Sequence, residues 1–349
     1  MPPVGSPVPA HGWYRGLGCT KAIFSNPERG PISFLNSPYM LLSDGLIAAS
    51  FTPFHPDGSI HTEMIPVVVD KLVADGLKGV FVCGTNGEGP NMTITERMTV
   101  AELFVGAAAG RIKVIVHVGH SSITDARSLA THAAAIGADA ISSVSAFYFK
   151  PVSTANMVDC MAQIASAAME LPFYYYHIPH LTGVSVDVDD FLRSAGQRIP
   201  NLAGVKYTAT SLHEFQSCLQ RWKGRYQMLF GLDELLLPAL SVGASAFIGS
   251  TYTFAAPAYL QTIELFRNGH MDAARDNHAF LVEMIRVFVK YPPIPAQKAI
   301  MKMLGWDFGP ARLPLQTLGA ADFDSLQREL DAISFFQKVP VRAVVSHLF

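Results

Sequence analysis

Two residues at the ends of apolar runs could share one chemistry. Lys206 lies near the close of Leu202 to Thr208 (LAGVKYT), and Tyr176 closes the apolar part of Leu171 to Gly183 (LPFYYYHIPHLTG). An apolar strand that delivers a lysine at its carboxyl end sets an amine at the mouth of a pocket. Partial desolvation there depresses its pKa and leaves it able to attack a carbonyl. Taken alone, the same lysine also reads as a surface charge just past a core strand. The tyrosine decides between the two, because adjacent strands of a parallel barrel bring their carboxyl-end side chains together. The pair suits imine chemistry: the amine forms a Schiff base, and the phenol moves a proton when the carbon–carbon bond beside the imine breaks.

Other polar residues fall at the same end of their strands. Thr85 and Asn86 follow the second strand within GTNGEG (Gly84 to Gly89), Tyr148 follows the fourth, Gly231 and Asp233 the seventh, and Ser250 the eighth. The glycine turn can aim several backbone N–H groups at one point as a nest for a carboxylate, or serve as an ordinary turn. Glu88 within it reads as a structural acceptor. Asp233 and Glu234 open a helix, where they favour its dipole or offer acceptors to the hydroxyls of a polyol. The pairs His117/His120 (HVGH) and His177/His180 (HIPH) raise a zinc-dependent aldolase as an alternative. Neither pair has helical metal spacing, and the intervening glycine and proline imply turns, so structural histidines and no metal are expected.

These residues require a scaffold that presents strand ends side by side. From Gly45 onward, apolar runs alternate with helical patterns. Strands are expected at Leu46 to Phe51, Gly79 to Cys83, Val114 to Val118, Ala140 to Val144, the tyrosine and lysine segments, Gln227 to Phe230, and Ser245 to Gly249. Between them, Ile65, Val68, Val69, Leu72 and Val73 form a buried helical stripe ended by Gly76, and Thr93 with Glu96 forms a capping box. Further helices are expected at about 124–136, 155–169, 188–195, 212–222 and 233–242. Eight strands with no hairpin signal predict a parallel (β/α)8 TIM barrel, an α/β fold. An open doubly wound sheet is the rival, but its glycine fingerprint belongs after the first strand rather than the second. The division expected is an irregular extension over 1–42, a barrel core over 43–256, and the last barrel helix with a C-terminal helical extension over 257–349. In that tail, 273–290 is the most regular helix, and Pro292, Pro293 and Pro295 break it from a helix over Ala296 to Leu304.

With 349 residues, 50% hydrophobic and 15% charged, the chain buries a large core without staples. A formal net charge of −2 argues against nucleic acid as a partner, and no apolar run is long enough to predict a membrane span. Cys19, Cys83, Cys160 and Cys218 are scattered without metal spacing, which points to a reduced, cytoplasmic protein, with Cys83 a small buried apolar residue. Residues 1–42 lack the Arg-rich amphipathic helix of a transit peptide.

GTNGE, YYYHIP, GVKYT, GLDE and GSTY occur in the order and spacing of a known family. From about Leu46 to beyond Leu315 the chain resembles the dihydrodipicolinate synthase/N-acetylneuraminate lyase family of class I aldolases, and within it the sialate lyases. The resemblance implies a Schiff-base Lys206, a catalytic Tyr176, and a carboxylate held at Thr85 and Asn86. It further implies contacts from Gly231, Asp233, Glu234 and Ser250 to the hydroxylated chain of a sugar, a pocket threonine at Thr208, and a loop aromatic at Tyr148. The implied assembly is a homotetramer without metal or organic cofactor, acting on a small-molecule sugar acid and pyruvate. The implied reaction is reversible cleavage of N-acetylneuraminate to N-acetylmannosamine and pyruvate. Aldol cleavage of another 2-oxo-3-deoxy sugar acid, or an idle pyruvate- or sialate-binding barrel, are the alternatives. Asn86 departs from a usual threonine and Thr253 from a usual asparagine. Leu181 stands where the synthases place an arginine to grip a second carboxylate, which a leucine cannot do.

Overall fold

In the computed structural model, which describes residues 44–339, short β-rich apolar runs form strands and the amphipathic segments between them form helices. The expected extension over 1–42, with Cys19, lies outside the described residues. The strands are β1 (Gly45–Ala49), β2 (Gly79–Val82), β3 (Lys113–His117), β4 (Ala140–Val144), β5 (Phe173–His177), β6 (Leu202–Tyr207), β7 (Gln227–Phe230) and β8 (Ala246–Gly249). Each pairs in parallel with its successor, and β8 returns to β1, closing the barrel. Parallel neighbours cannot be joined by a tight turn, so every step needs a crossover. The crossover helices are α1 (Met64–Ala74), α2 (Ile94–Ala108), α3 (Ile123–Ala135), α4 (Thr154–Ala165), α6 (Val188–Ala195), α7 (Leu212–Arg221) and α8 (Leu236–Ser241). A single turn, α5 (Pro179–Thr182), precedes α6.

Alternation along the strands divides the apolar side chains between two cores. Ile47, Phe81, Ile115, Tyr174, Tyr176 and Leu229 fill the barrel interior, whereas Leu46, Val80, Val114 and Val116 pack outward beneath the helices. Local signals set the boundaries. The Thr93 hydroxyl accepts the Glu96 N–H at 3.2 Å while Glu96 Oε2 accepts the Thr93 N–H at 2.8 Å, so the expected capping box starts α2. At the foot of β6, the Asn201 amide donates to the carbonyls of Ala165, Ala168 and Leu171 at 3.3, 3.1 and 2.8 Å. The backbone carbonyl of Asn201 accepts the Phe173 N–H at 2.8 Å, which laces the start of β5 to the start of β6. The seam between β7 and β8 is the thinnest, with Phe230 opposite Phe247 as its one register pair.

Strand limits agree with the sequence expectation within one or two residues; β4 and β7 coincide with it. Two helices differ. The segment expected as one helix over 233–242 is a 3-10 turn, Asp233–Leu235, followed by α8, because the carboxylate of Asp233 is turned sideways toward Thr251. After α9 (Tyr252–Arg267) and α10 (Met271–Phe288), α11 runs Pro293–Met303 rather than starting at Ala296. Pro293 and Pro295 fall in its first turn, where the missing N–H groups have no helical partner to lose. α9 spans the position 256–257 at which the sequence divides core from tail, and α12 (Ala320–Ala332) and α13 (Phe335–Lys338) follow. No helix among the described residues is long and apolar enough to cross a membrane.

Candidate active site

Tyr176 and Lys206 stand opposite one another in the register of β5 and β6, so their side chains leave the same face of the barrel. The Lys206 amine lies 3.8 Å from the centroid of the Tyr176 ring and 4.1 Å from that of Phe81. Both residues are 3% exposed. Burial lowers the Lys206 pKa below the usual lysine value, and the Tyr176 hydroxyl and, more weakly, Asp233 work against that shift. The result is an amine readier than a surface lysine to lose its proton and attack a carbonyl.

Aromatic edges hold the tyrosine in place. Phe81 meets its ring at 5.6 Å and 79°, and His117 at 5.9 Å and 89°. Burial holds His117 well below the ordinary histidine range, with Arg97 and Lys206 adding to the effect, so its ring is neutral. Its Nε2 accepts the Val144 N–H at 3.3 Å, which leaves Nδ1 to carry the proton and donate it to the Cys83 carbonyl at 3.2 Å.

That carbonyl begins the glycine turn. Cys83 and Glu88 both take left-handed backbone angles, φ 58° and 53°. A Cβ on Gly89 would fall 2.0 Å from the Cys83 oxygen, so only glycine fits there. The Thr52 hydroxyl donates to the Gly87 carbonyl at 2.7 Å, and the N–H groups of Glu88 and Gly89 close on Thr85 and Gly84. The N–H groups of Thr85 and Asn86 have no acceptor among the described residues, and both residues line the cavity. This is the arrangement a carboxylate nest requires.

The cavity has a volume of about 420 Å³ and opens at the carboxyl ends of the strands. Thr208, Gly231, Asp233, Glu234 and Ser250 line it, while Ile285, Phe288 and Ile294 of α10 and α11 give it an apolar wall. The Thr208 hydroxyl is buried and has no hydrogen-bond partner among the described residues, and a Cβ on Gly231 would lie 2.1 Å from it. Asp233 accepts the N–H and the hydroxyl of Thr251 at 2.9 and 2.6 Å, with Ser250 Oγ at 3.5 Å. Burial pushes its carboxyl up to about 6 against the pull of those bonds.

Tyr148 does not join them. It is 77% exposed, packs edge-on against Phe149 at 5.0 Å, and is absent from the cavity wall. Leu181, 57% exposed, lies at the cavity's edge. Three residues escaped the sequence reading. Thr52 follows β1 as the other site residues follow their strands, and that signal would have found it. Thr251 stands inside the GSTY motif. Phe81 carries no local signal beyond its inward register.

Of the four histidines in the two paired motifs, His180 lines the cavity, whereas His117, His120 and His177 are engaged by protein groups. His120 Nδ1 accepts the Ser122 N–H at 3.0 Å, and His177 bonds Tyr175 at 3.3 Å and stacks on Tyr207. Among the described residues, the clusters that could hold a metal are His55/His61/Glu63 and Asp187/Asp189/Asp190, neither on the cavity wall. A buried amine, a carboxylate nest, a phenol and a rim of hydroxyl-binding groups can together bind a 2-oxo acid, condense with it and move protons on the adjoining carbon.

Residues 42–333 match the model of the dihydrodipicolinate synthetase family. N-acetylneuraminate lyase of Sus scrofa is 38% identical over 300 residues, covering 83% of this chain and 94% of the relative. The Xenopus tropicalis enzyme of that name is 40% identical over 291 residues, covering 82% and 95%. Among solved structures, Proteus mirabilis N-acetylneuraminate lyase superposes with a TM-score of 0.82 at 38% identity, covering 84% of this chain and 99% of that one.

Proposed function

The chain belongs to the dihydrodipicolinate synthetase family, and from that premise we propose how its cavity works on a small-molecule substrate. The protein is a carbon–carbon lyase that cleaves N-acetylneuraminate reversibly to N-acetylmannosamine and pyruvate. The observation that carries the mechanism is the buried Lys206 amine facing Tyr176 in one cavity.

Lys206 attacks the ketone of the open-chain sugar acid and, with loss of water, forms an iminium, while the Thr85 and Asn86 turn holds the carboxylate. Tyr176 takes the proton of the C4 hydroxyl. The C3–C4 bond breaks, its electrons pass into the iminium to give an enamine, and the C4 oxygen becomes the aldehyde of the sugar. Protonation at C3 and hydrolysis then release pyruvate and the free amine. Asp233, Glu234 and Ser250 orient the hydroxylated chain, with Gly231 and Thr208 shaping the floor between. Leu181, at the cavity's edge, offers no cation to a second carboxylate, which favours a polyol partner over a carboxylate-bearing aldehyde.

A homotetramer and a cytoplasmic setting belong to the same reading. The first rests on the family resemblance and on the exposed apolar side chains of Tyr148, Phe149 and Val152. The second rests on the free thiols of Cys83, Cys160 and Cys218. Borohydride with pyruvate tests the mechanism: a reduced pyruvyl mass is expected on Lys206 alone, and Lys206→Ala is expected to lose both adduct and turnover. An active Lys206→Ala enzyme would sink it. Cleavage of shorter, unacetylated sugar acids in preference to N-acetylneuraminate would redirect the substrate assignment.

A further inference from the structure

Glu88 belongs to the glycine turn, yet its side chain leaves the cavity and runs into the protein, where it is fully buried. Its Oε1 meets the ammonium of Lys298, on α11, at 2.7 Å, and its Oε2 accepts the backbone N–H of Arg312 at 2.8 Å. Lys298 is buried as well. It donates to the Pro310 carbonyl at 2.9 Å and stands 4.5 Å from the centroid of the Phe54 ring. Arg312 reaches on to Glu96 at the start of α2 and, through Nε, to the Gly58 carbonyl at 2.8 Å.

An ion pair this deep adds little net stability, because stripping water from both ions offsets most of their attraction. What it does impose is geometry. Glu88 holds a left-handed backbone that a non-glycine residue keeps only when its surroundings fix it, and its N–H closes on the carbonyl of Thr85. The pitch of the turn is therefore tied from outside the barrel, by a lysine distant in sequence.

We propose that Lys298 is a positioning residue for the carboxylate of the 2-oxo acid: through Glu88 it holds the turn so that the N–H groups of Thr85 and Asn86 face the cavity. The proposal rests on the reading that this turn binds the substrate's carboxylate. α11 then serves the site twice, since Gln297, next in sequence, lines the cavity itself.

The test uses the full chain with pyruvate as the probe, and reads the pyruvate concentration that half-saturates borohydride trapping at Lys206, by intact mass. Lys298→Met and Glu88→Gln are each expected to raise that concentration by about 10- to 100-fold, the usual loss when an orienting partner is removed. The adduct is expected to remain near complete at saturating pyruvate, and Lys298→Arg, which keeps the charge, to restore most of the affinity. Unchanged half-saturation in Lys298→Met, with only the melting temperature lowered, would assign the pair a purely structural role and overturn the proposal. Should Lys298→Met not fold, Glu88→Gln keeps the side chain's size and decides between the same two outcomes. Wild-type protein giving no adduct at any pyruvate concentration would instead overturn the imine reading, and this proposal with it.

Discussion

The carboxylate of Asp233 fills the space that a side chain on Gly249 would need: a Cβ there would lie 1.8 Å from Asp233 Oδ1 and 2.7 Å from the Tyr252 ring. The glycine of the GSTY segment thus lets β8 end against a buried carboxylate that is itself held by Thr251. Gly249→Ala is expected to push Asp233 off its partners and to lower kcat/KM for the sugar acid by about 10²-fold, the usual cost of a 1 Å misplacement. Pyruvate trapping at Lys206 should be spared. Steady-state kinetics beside borohydride trapping checks both; a proportional loss of trapping would mean that the damage reaches β6.

Tyr176→Phe keeps the ring that packs against Phe81 and His117 and removes only the hydroxyl. Imine formation should survive, and cleavage should slow by about 10²- to 10⁴-fold, the range for losing a positioned acid–base group. Single-turnover cleavage compared with borohydride trapping separates the two steps. Wild-type cleavage rates in this variant would remove the phenol from the mechanism.

The pH dependence has two parts. Only the neutral Lys206 attacks, so imine formation should rise with pH through a midpoint below the ordinary lysine value, in the direction set by burial. Asp233, pushed up to about 6, accepts hydroxyls fully only above that pH, so KM for the sugar acid should climb as pH falls through about 6. Its native pKa lies above the unfolded value near 3.8, so the native state binds the extra proton between those two values. Its contribution to stability is therefore present below about 3.8 and lost as pH rises through about 6. Asp233→Asn should erase the KM inflection and flatten melting temperature against pH over that window. An inflection that persists in the variant would belong to another group.

Asn201 tests the scaffold rather than the chemistry. Its amide donates to three carbonyls in a buried corner, one of which, Ala168, also accepts the Leu171 N–H, so Asn201→Ala removes a shared buried donor and is expected to cost about 1–3 kcal/mol. Chemical denaturation measures it. Because the lacing lies at the opposite end of β6 from Lys206, kcat at low temperature should change little.

Much of this arrangement was legible in the chain because it is written locally. Apolar runs bounded by glycines marked the strands, Thr93 and Glu96 marked a helix start, and strand-end residues such as Thr85, Lys206 and Ser250 marked the working face. What escaped was written across distance. Nothing near Glu88 announces Lys298 or Arg312, and the prolines that look like breaks before Ala296 are tolerated because they open α11. Tyr148 shows the converse: its place after β4 suggested the site, yet the chain sends it outward.

The sparse pairing of β7 with β8 bears on how the sugar end of the cavity behaves. Where two staves share a single rung, the backbone contributes little to keeping them shut, and the join depends on the burial of Phe230 and Phe247 in the outer core below and on the Asp233 to Thr251 suture above. Asp233, Glu234 and Ser250, which we propose orient the polyol, flank this join. Breathing of the cylinder would therefore concentrate beneath the proposed sugar end and leave the Lys206 end, moored by the unbroken run of pairs from Tyr174/Gly204 to His177/Tyr207, at rest.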